Sequence, residues 1–515
     1  MESENTEFAQ RIDERSKAYS NPFASDDYKK RKDQHEVELR KSKRADLAIK
    51  RRNLAVPEKE WIPVNEHFKE SYTLEDLSSL LQAANSSQDT DLLMAAQGFR
   101  KLLSIKVNPP IQNVIDAGVI PFLITWIQRS DYPQLQYEAS WCLTNIASGN
   151  HMQTLAIIEK GAVPVLVNML SSPLDELKEQ SIWTLGNIGA DSAHCRDLIL
   201  QFGAMRGLIS ASETSQRKIT KKQGLWTISN LCRGKPMPQF EFVKESIPII
   251  TKALYEFPDE EILPDLLWAL SCLSDGNPEG VQMIIDSGAL PKVTELTKAD
   301  NYRVQLPGAR CLGNIISGYD IQAQAVVEAG GVEALASLLD IKLKNLRKEA
   351  VWALSNLCAG TKEQLQYLIE KQVTRKLIEI ASIEDRVIQK EVVWAIANAV
   401  SNGKPEQVDM LVQQNAIEAL CFLLRLEDTK LISVALEGLS CVLRVGNVCI
   451  ERGEAENPYT RIVEECGGLV TLEKLQMNPN NNIYNKALKI IETYFGVEED
   501  ESKGLIDLIT KDFTF

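Results

Sequence analysis

The stretch Ser181–Asp191, SIWTLGNIGAD, places an asparagine four residues after a tryptophan, and this pair returns along the chain. Its occurrences are Trp141/Asn145, Trp183/Asn187, Trp226/Asn230, Trp352/Asn356 and Trp394/Asn398. With Trp268 included, successive tryptophans are 42, 43, 42, 84 and 42 residues apart, and Arg310 stands at the step that the 84-residue gap skips. A period of this kind predicts a protein built from structural repeats.

Each period has the pattern of a small group of helices. In residues 151–191 an apolar run stops at Gly161, a second apolar helix follows, and a third, longer helix begins after the turn at Ser171–Pro173. Helical units of about 40–47 residues are typical of armadillo and HEAT repeats, which stack into superhelices with a long concave surface. We therefore predict an all-α fold, a right-handed superhelical solenoid of about ten armadillo repeats with a flexible basic N-terminal arm.

Charge is distributed unevenly along the 515 residues. The net charge is −14, yet residues 29–52 contain eleven Lys/Arg and four Asp/Glu, a charge of +7 that leaves −21 for the rest. The N-terminus is polar and we find no apolar run of about 18 residues, so we expect neither a signal peptide nor a transmembrane span. The cysteines form no CxxC pair, and those in apolar helical runs are expected to be buried free thiols of a reduced, intracellular protein: Cys142, Cys232, Cys311 and Cys358.

The Trp-xxx-Asn pairs lie away from the predicted core face of the third helix. In residues 173–189 the apolar stripe passes through Leu177 and Ile188, whereas Trp183 and Asn187 share another face one turn apart. Two interpretations are open. The pairs are scaffolding between repeats, or they form a ladder in which indole faces pack on Lys/Arg side chains and asparagine amides pair with the backbone of an extended peptide.

The ladder is interrupted in the middle of the chain. Trp268 is followed four residues later by Cys272 rather than asparagine, and Arg310 takes the place of a tryptophan before Asn314. Three complete pairs precede the interruption and two follow it, so the sequence predicts two separate peptide sites.

Five segments of the third helices carry a family resemblance: SWCLTNIASGN, SIWTLGNIGAD, GLWTISNLCRG, AVWALSNLCAG and VVWAIANAVSNG. They resemble the armadillo repeats of importin-α (karyopherin-α), and Val37–Asn53, VELRKSKRADLAIKRRN, resembles that family's importin-β-binding segment. The resemblance implies an adaptor that binds nuclear localisation signals of cargo proteins in two groove sites. It also implies importin-β and an export receptor with RanGTP as partners, and shuttling between cytoplasm and nucleus through nuclear pores.

Position by position, the resemblance implies the residues of both sites. The major site comprises Trp141, Asn145, Gly149, Thr154, Trp183, Asn187, Asp191, Trp226, Asn230 and Asp265. The minor site comprises Arg310, Asn314, Trp352, Asn356, Glu391, Trp394 and Asn398. Asp191 is the implied carboxylate for the deepest lysine, although by position alone Asp191, Asp265 and Glu391 also fit ordinary solvated charges. Cys272 and Ala323 stand where the family commonly has Tyr and Thr, which leaves the affinity of the minor site open.

The basic strip resembles an arm with two roles. Lys50, Arg51, Arg52 and Asn53 resemble an autoinhibitory stretch that imitates cargo in the major site. The residues expected to bind importin-β are Lys29, Lys30, Arg31, Lys32, Arg40, Lys41, Lys43, Arg44, Lys50, Arg51 and Arg52. A disordered tail that touches nothing is the alternative. The predicted domains are the arm and linker (1–70), the armadillo solenoid (71–495) and an acidic C-terminal tail (496–515).

Three other function classes fit the sequence less well. A groove for acidic or phosphorylated partners needs a basic lining, whereas the body carries −21. The chain has four histidines and no GxSxG, HExxH or P-loop pattern, so we expect no enzyme, no metal site and no cofactor. The arm could make weak, salt-sensitive contacts with nucleic acid, but the acidic body repels phosphate; we expect no direct nucleic-acid binding and no membrane insertion.

Overall fold

The computed structural model describes residues 50, 69, 71–451 and 456–496, and these contain helices and turns but no β-strand. The chain divides into two compact units, Met1–Lys160 and Gly161–Phe515. The predicted arm residues other than Lys50, including Arg51, Arg52 and Asn53, lie outside the described residues, as does the tail beyond Gly496. The predicted domain boundaries stay predictions.

The first unit contains helices α1 to α6. After a short 3-10 turn at Leu74–Asp76, these helices are α1 (Leu77–Ala84), α2 (Asp89–Leu103), α3 (Ile111–Asp116), α4 (Ile120–Ile127), α5 (Pro133–Ala147) and α6 (His151–Glu159). Helix α5 packs against α2 and α4, and α6 packs against α3. Phe99 and Trp126 stack in this core with ring centres 6.4 Å apart.

The second unit repeats the same helical group along the chain. Its first helices are α7 (Ala162–Met169), α8 (Asp175–Gly189), α9 (Ala193–Gln201), α10 (Ala204–Thr214), α11 (Lys218–Leu231), α12 (Phe240–Val243), α13 (Ser246–Glu256), α14 (Leu263–Ser274), α15 (Pro278–Asp286), α16 (Leu290–Lys298), α17 (Tyr302–Ile316) and α18 (Asp320–Glu328). They are followed by α19 (Gly331–Leu338), α20 (Lys344–Cys358), α21 (Lys362–Glu370), α22 (Val373–Glu379), α23 (Arg386–Asn402), α24 (Pro405–Val412), α25 (Ala416–Leu423), α26 (Thr429–Glu451), α27 (Pro458–Glu465), α28 (Gly468–Leu475) and α29 (Asn481–Tyr494).

The group α9, α10 and α11 shows why the sequence folds into three helices. The Ser192 side chain accepts a hydrogen bond from the Cys195 backbone N–H at 3.2 Å and so caps the start of α9. Gly203 has a φ of +78°, a left-handed conformation that separates α9 from α10 and favours glycine. Ile199 and Leu208 from the two short helices are fully buried, as is Ile228 of α11. Burial of their apolar faces against the third helix holds the repeat together.

The long third helices follow one another along each unit. In the first unit α2 packs on α5; in the second, contact runs from α8 through α11, α14, α17, α20, α23 and α26 to α29. Ten such helices are present in the described residues, in agreement with the predicted number of repeats. The Trp-xxx-Asn pairs all lie on these helices, so their stacking determines the spacing of the ladder.

A series of glutamines links the first helices of successive repeats. Gln322, the third residue of α18, accepts from the Tyr319 N–H at 3.0 Å and thereby caps its own helix. Its amide nitrogen donates to the Pro278 carbonyl oxygen of the preceding repeat at 3.2 Å. The same link recurs from Gln364 to the Asp320 carbonyl at 3.0 Å and from Gln407 to the Lys362 carbonyl at 2.8 Å. The tryptophan pattern gives no indication of this series.

Helix α26 is the one described helix long and apolar enough by composition to cross a membrane. The apolar window Thr429–Val448 is 56% buried inside the protein. The helix packs against α23, α25, α27 and α29, in the position of a third helix. Its apolar character is therefore accounted for by contacts with neighbouring repeats.

The cysteines predicted to be buried thiols are buried, which confirms that prediction for Cys142, Cys232, Cys311 and Cys358. Burial disfavours the thiolate and raises the pKa of the last three to about 12. Cys466 differs because it is half-buried and because hydrogen bonds, first from the Cys421 thiol and then from the Gly468 backbone, lower its pKa to about 7.

The rate of alkylation should therefore distinguish the Cys466 thiol from the buried thiols. Iodoacetamide at neutral pH should modify Cys466 first, because the thiolate is the nucleophile, and should leave Cys142 and Cys358 unmodified in the native protein. Mass spectrometry of the digested protein measures the sites, and denatured protein, in which all ten cysteines should react, is the control. Modification of Cys358 as fast as Cys466 in the native chain would contradict the described packing.

Candidate peptide-binding surface

The first ladder tryptophan is more deeply buried than its pattern suggested. Trp141 on α5 is 1% exposed; Tyr137 meets it edge-on, with ring centres 5.6 Å apart, and the Arg100 guanidinium of α2 lies 4.9 Å from the ring centre. Arg100 is also paired with the buried Glu138. Burial raises the pKa of Glu138, and the Arg100 cation opposes that rise. A cation of the protein itself therefore covers one face of this indole.

Lys50 lies beside the C-terminal end of the same helix. Its ammonium nitrogen donates to the Gly149 carbonyl oxygen at 2.9 Å and to Thr154 Oγ1 at 2.6 Å. Thr154 is fully buried, and its hydroxyl lies 3.2 Å from the Asn150 carbonyl oxygen, to which it can donate. The free carbonyls at the end of a helix carry partial negative charge and favour a cation. The loop between α5 and α6 is thus an ammonium pocket.

Gly149 is required in this loop for a steric reason. A Cβ at Gly149 would lie 2.1 Å from Gln153 Oε1, which accepts a hydrogen bond from the Asn150 N–H at 3.0 Å. The capping interaction of α6 therefore occupies the space that a larger residue would need. Both predicted small-residue positions of the major site, Gly149 and Thr154, belong to this pocket.

In the second unit, a glycine lies beneath the indole of the next repeat. A Cβ at Gly186 would be 2.4 Å from a ring carbon of Trp226, which is 1% exposed. Gly313 has the same relation to Trp352, at 2.3 Å. Trp183, which lies three residues before Gly186, is half-buried. Close contact between helix backbone and ring fixes the tilt of each indole.

The ladder asparagines connect the third helices. In the second unit the Nδ2 atoms of Asn230, Asn314 and Asn398 donate to carbonyl oxygens of the preceding third helix, those of Gly186 (3.3 Å), Ser271 (2.8 Å) and Ser355 (3.1 Å). Asn356 and, in the first unit, Asn145 donate instead to the hydroxyls of Ser317 and Ser104. The amide nitrogen of each of these five asparagines thus has a structural role, as the scaffolding interpretation of the sequence expects.

The side-chain amide of Asn230 also has an oxygen that can accept a hydrogen bond. Asn230 Oδ1 is buried and has no hydrogen-bond partner among the described residues. Leaving such an atom unsatisfied costs about 1–3 kcal/mol. Since Asn230 lies one turn after Trp226, an extended peptide beside this indole could supply the missing N–H. Asn187, the corresponding asparagine of α8, is also fully buried.

The second set of the ladder begins with the same arrangement as Arg100, Glu138 and Trp141. An arginine again pairs with a glutamate and lies over a tryptophan ring. The Arg310 guanidinium of α17 lies 5.4 Å from the Trp352 ring centre and donates to Glu349 Oε2 at 2.6 Å. Sequence reasoning missed Arg100, Glu138 and Glu349. The available signal was an acidic residue three positions before Trp141 and again before Trp352.

The predicted acidic residues have different environments. Asp265 on α14 is ion-paired with Arg233, with 2.9 Å between the guanidinium and carboxylate atoms. Asp191 and Glu391 are half-buried, and the Cys195 thiol lies 3.6 Å from the Asp191 carboxylate. The Asp265 carboxylate is thus paired with a cation of its own chain, which a cargo peptide would have to displace.

The sequence matches three profiles of known protein families. The profile described as "Importin beta binding domain" matches residues 15–97, "Armadillo/beta-catenin-like repeat" matches 108–148, 150–190 and 320–359, and "Atypical Arm repeat" matches 457–507. Importin subunit alpha-2 of Arabidopsis thaliana is 41% identical over 95% of this chain and 92% of its own length. The chain belongs to the importin-α family.

Other comparisons agree with this assignment. Importin subunit alpha-B of Dictyostelium discoideum is 42% identical over 97% of this chain and 96% of its own length. Importin subunit alpha-1b of Oryza sativa subsp. japonica is 42% identical over 86% of this chain and 83% of its own length. Among solved structures, an engineered protein from the Northeast Structural Genomics Consortium matches 81% of this chain and 98% of its own, with 26% identity and a TM-score of 0.70. The armadillo-repeat fold and the role of nuclear import adaptor, both predicted from the sequence, are confirmed.

The contact between Gly186 and Trp226 allows a test of the importin-α ladder geometry. Gly186→Ala should destabilise the protein by roughly 1–3 kcal/mol through overpacking, offset in part by about 1 kcal/mol of improved helix propensity. Thermal unfolding followed by circular dichroism measures the change. Gly189→Ala on the same helix is the control, because its Cβ would meet a terminal methyl group of Leu231 at 2.7 Å, which can rotate aside more easily than an indole ring. A Gly186→Ala protein as stable as this control would contradict the position of the Trp226 ring.

Proposed function

We propose that the Trp- and Asn-lined surface of this importin-α binds Lys/Arg-rich nuclear localisation signals as extended peptides at the predicted major and minor sites. The basic arm occupies the major site as an autoinhibitor until importin-β removes it. The acidic body, with a charge of −21 outside residues 29–52, attracts basic peptides and raises their rate of association.

One observation carries this proposal: the position of Lys50. A lysine of KRRN, 99 residues from Gly149 in sequence, donates to the Gly149 carbonyl and to Thr154. A lysine of a cargo peptide presents the same ammonium group and could replace it. The buried acceptor on Asn230 gives independent support, because a bound peptide backbone would satisfy it.

Tethering makes the competition effective. A segment attached through a short flexible linker has an effective concentration in the millimolar range, so even a modest intrinsic affinity excludes weak cargo. The region that matches the importin-β-binding profile, residues 15–97, includes the whole basic strip and Lys50. Binding of importin-β to this strip would withdraw Lys50 and open the pocket in the same event.

The remaining parts of the proposal follow from membership of the family. An export receptor with RanGTP returns the adaptor to the cytoplasm, so the protein shuttles between cytoplasm and nucleus through nuclear pores. It acts by binding alone and catalyses no reaction. Its relatives are transport adaptors, which supports this assignment.

A peptide titration against variants of the full chain tests the proposal. Lys50→Ala should bind a Lys/Arg-rich localisation peptide about tenfold or more tightly than the natural chain, because the internal competitor is weakened. In the Lys50→Ala background, Thr154→Val should weaken binding by about tenfold or more, since a hydrogen bond to a charged group contributes about 1.5–3 kcal/mol. Fluorescence anisotropy of a labelled peptide measures both changes.

The Lys50→Ala background is needed because Thr154→Val also weakens the competing arm. Thr125→Val is the matched control: it makes the same substitution at an exposed position of α4 and should change nothing. Peptide affinity that is insensitive to both Lys50→Ala and Thr154→Val would mean that the ladder is scaffolding and that the pocket does not bind cargo.

A further inference from the structure

Two cysteines of the C-terminal repeats lie side by side. Cys421 belongs to α25, the second helix of its repeat, and Cys466 follows α27, the first helix of the next repeat, as its C-cap. Their thiols are hydrogen-bonded to each other, with Cys421 as the donor. Both sulfur atoms adjoin the start of α28, because a Cβ at Gly468 would lie 2.5 Å from Cys421 Sγ and the Gly468 N–H donates to the Cys466 sulfur. The pair is therefore a dithiol that spans the boundary between two repeats.

The two thiols differ in reactivity because their surroundings differ. Cys466 is half-buried and precedes the N-cap of α28, where the positive partial charge of a helix start stabilises a thiolate. Hydrogen bonds, first from the Cys421 thiol and then from the Gly468 backbone, lower the pKa of Cys466 to about 7; burial and the charge of Glu418 oppose this lowering but do not cancel it. Cys421 is 1% exposed, and its bond to Cys466 together with burial raises the pKa of its thiol. One sulfur is thus a partly ionised, partly accessible nucleophile, and the other is a protonated thiol beside it.

The same loop occurs elsewhere in the chain without a thiol. EAGG (Glu328–Gly331) has the pattern of ECGG (Glu465–Gly468), and the third residue of each adopts a left-handed φ, of +74° and +73°. The backbones agree further, because a Cβ on the fourth residue would in both loops lie 2.9 Å from a valine carbonyl oxygen of the preceding helix. Ala329 stands in the place of Cys466. Since this loop forms with alanine, folding alone does not account for the cysteine.

We propose that Cys466 and Cys421 are a peroxide-responsive dithiol whose oxidation cross-links two successive repeats at the C-terminal end of the array. The Cys466 thiolate attacks the terminal oxygen of a hydroperoxide, the O–O bond breaks, and a hydroxide or alkoxide leaves while Cys466 becomes a sulfenic acid. The Cys421 sulfur then attacks the Cys466 sulfur, and its proton leaves with the displaced hydroxyl group as water. The two sulfurs together lose the two electrons that the peroxide gains. A dithiol reductant reverses the reaction by thiol–disulfide exchange.

The cross-link acts where the described array has the fewest neighbours. Helix α29 packs on α26 and α28, whereas an internal third helix such as α23 has a third helix on each side, α20 and α26. A repeat with one neighbour opens more easily than a repeat between two. The disulfide joins residues 45 positions apart and excludes open states in which α27 and α28 separate from α25. Oxidation therefore slows local unfolding of the last described repeat.

The test treats the full chain with a small excess of hydrogen peroxide at neutral pH and maps the thiols under non-reducing conditions. Mass spectrometry should find Cys421 and Cys466 joined in a disulfide, and dithiothreitol should restore both thiols. Cys421→Ser should instead leave a sulfenic acid on Cys466, which dimedone traps, and Cys466→Ser should leave Cys421 reduced. Cys441→Ser, at another partly exposed cysteine of the same region, is the matched control and should leave the disulfide unchanged.

Hydrogen exchange measures the consequence for the repeat. In the oxidised natural chain the backbone amides of α27 and α29 should exchange about tenfold or more slowly than in the reduced chain, and peroxide should leave their exchange unchanged in Cys421→Ser. The inference is overturned if peroxide oxidises Cys466 no faster than the fully buried Cys358, or if oxidised Cys466 forms no disulfide with Cys421. A disulfide that leaves the exchange of α27 and α29 unchanged would equally overturn the proposed cross-link between repeats.

Discussion

The hydrogen bond from a ladder asparagine to the preceding third helix is the interaction on which the surface depends. Asn230, Asn314 and Asn398 each reach a backbone carbonyl more than 40 residues earlier in the chain. These bonds set the register between repeats and therefore the separation of the indoles. The sequence presented scaffold and ladder as alternatives; the structure shows the scaffolding bonds, and the peptide ladder that we propose would use the same side chains.

Sequence periodicity was sufficient to predict the helices and to assign each Trp-xxx-Asn pair to a third helix, because spacing and apolar faces are local properties. The family resemblance, rather than periodicity, singled out Gly149, Thr154 and Lys50, and the geometry that joins them required the structure. The Arg100–Glu138 pair was not foreseen. Its members are 38 residues apart, and each taken alone has the pattern of a solvated charge on a helix. The acidic residue three positions before Trp141 and Trp352 was a recurring signal, but it does not identify the arginine of the preceding repeat as its partner.

The burial of Trp141 was also not predicted, and it too involves a contact with Arg100 of the neighbouring helix. Its position away from the apolar stripe suggested an exposed indole, but Tyr137 and Arg100 cover it. An aromatic side chain of the same helix and a charged side chain of the neighbouring helix lie against the ring, and hydrophobic patterning does not predict such contacts. The pocket for Lys50, by contrast, is built from a backbone carbonyl and one hydroxyl.

The glutamine series gives the repeat array a direction. Gln322, Gln364 and Gln407 each use an acceptor that belongs to the repeat before them, and the helices of Gln322 and Gln364 provide the acceptors, Asp320 and Lys362, for the next glutamine in the series. Stability in such arrays is a sum of nearest-neighbour terms, and a chain leaving the ribosome folds from its N-terminal part first. Each newly synthesised repeat therefore meets a partner whose acceptor is already formed, so assembly can proceed in the same order as translation without waiting for the C-terminus.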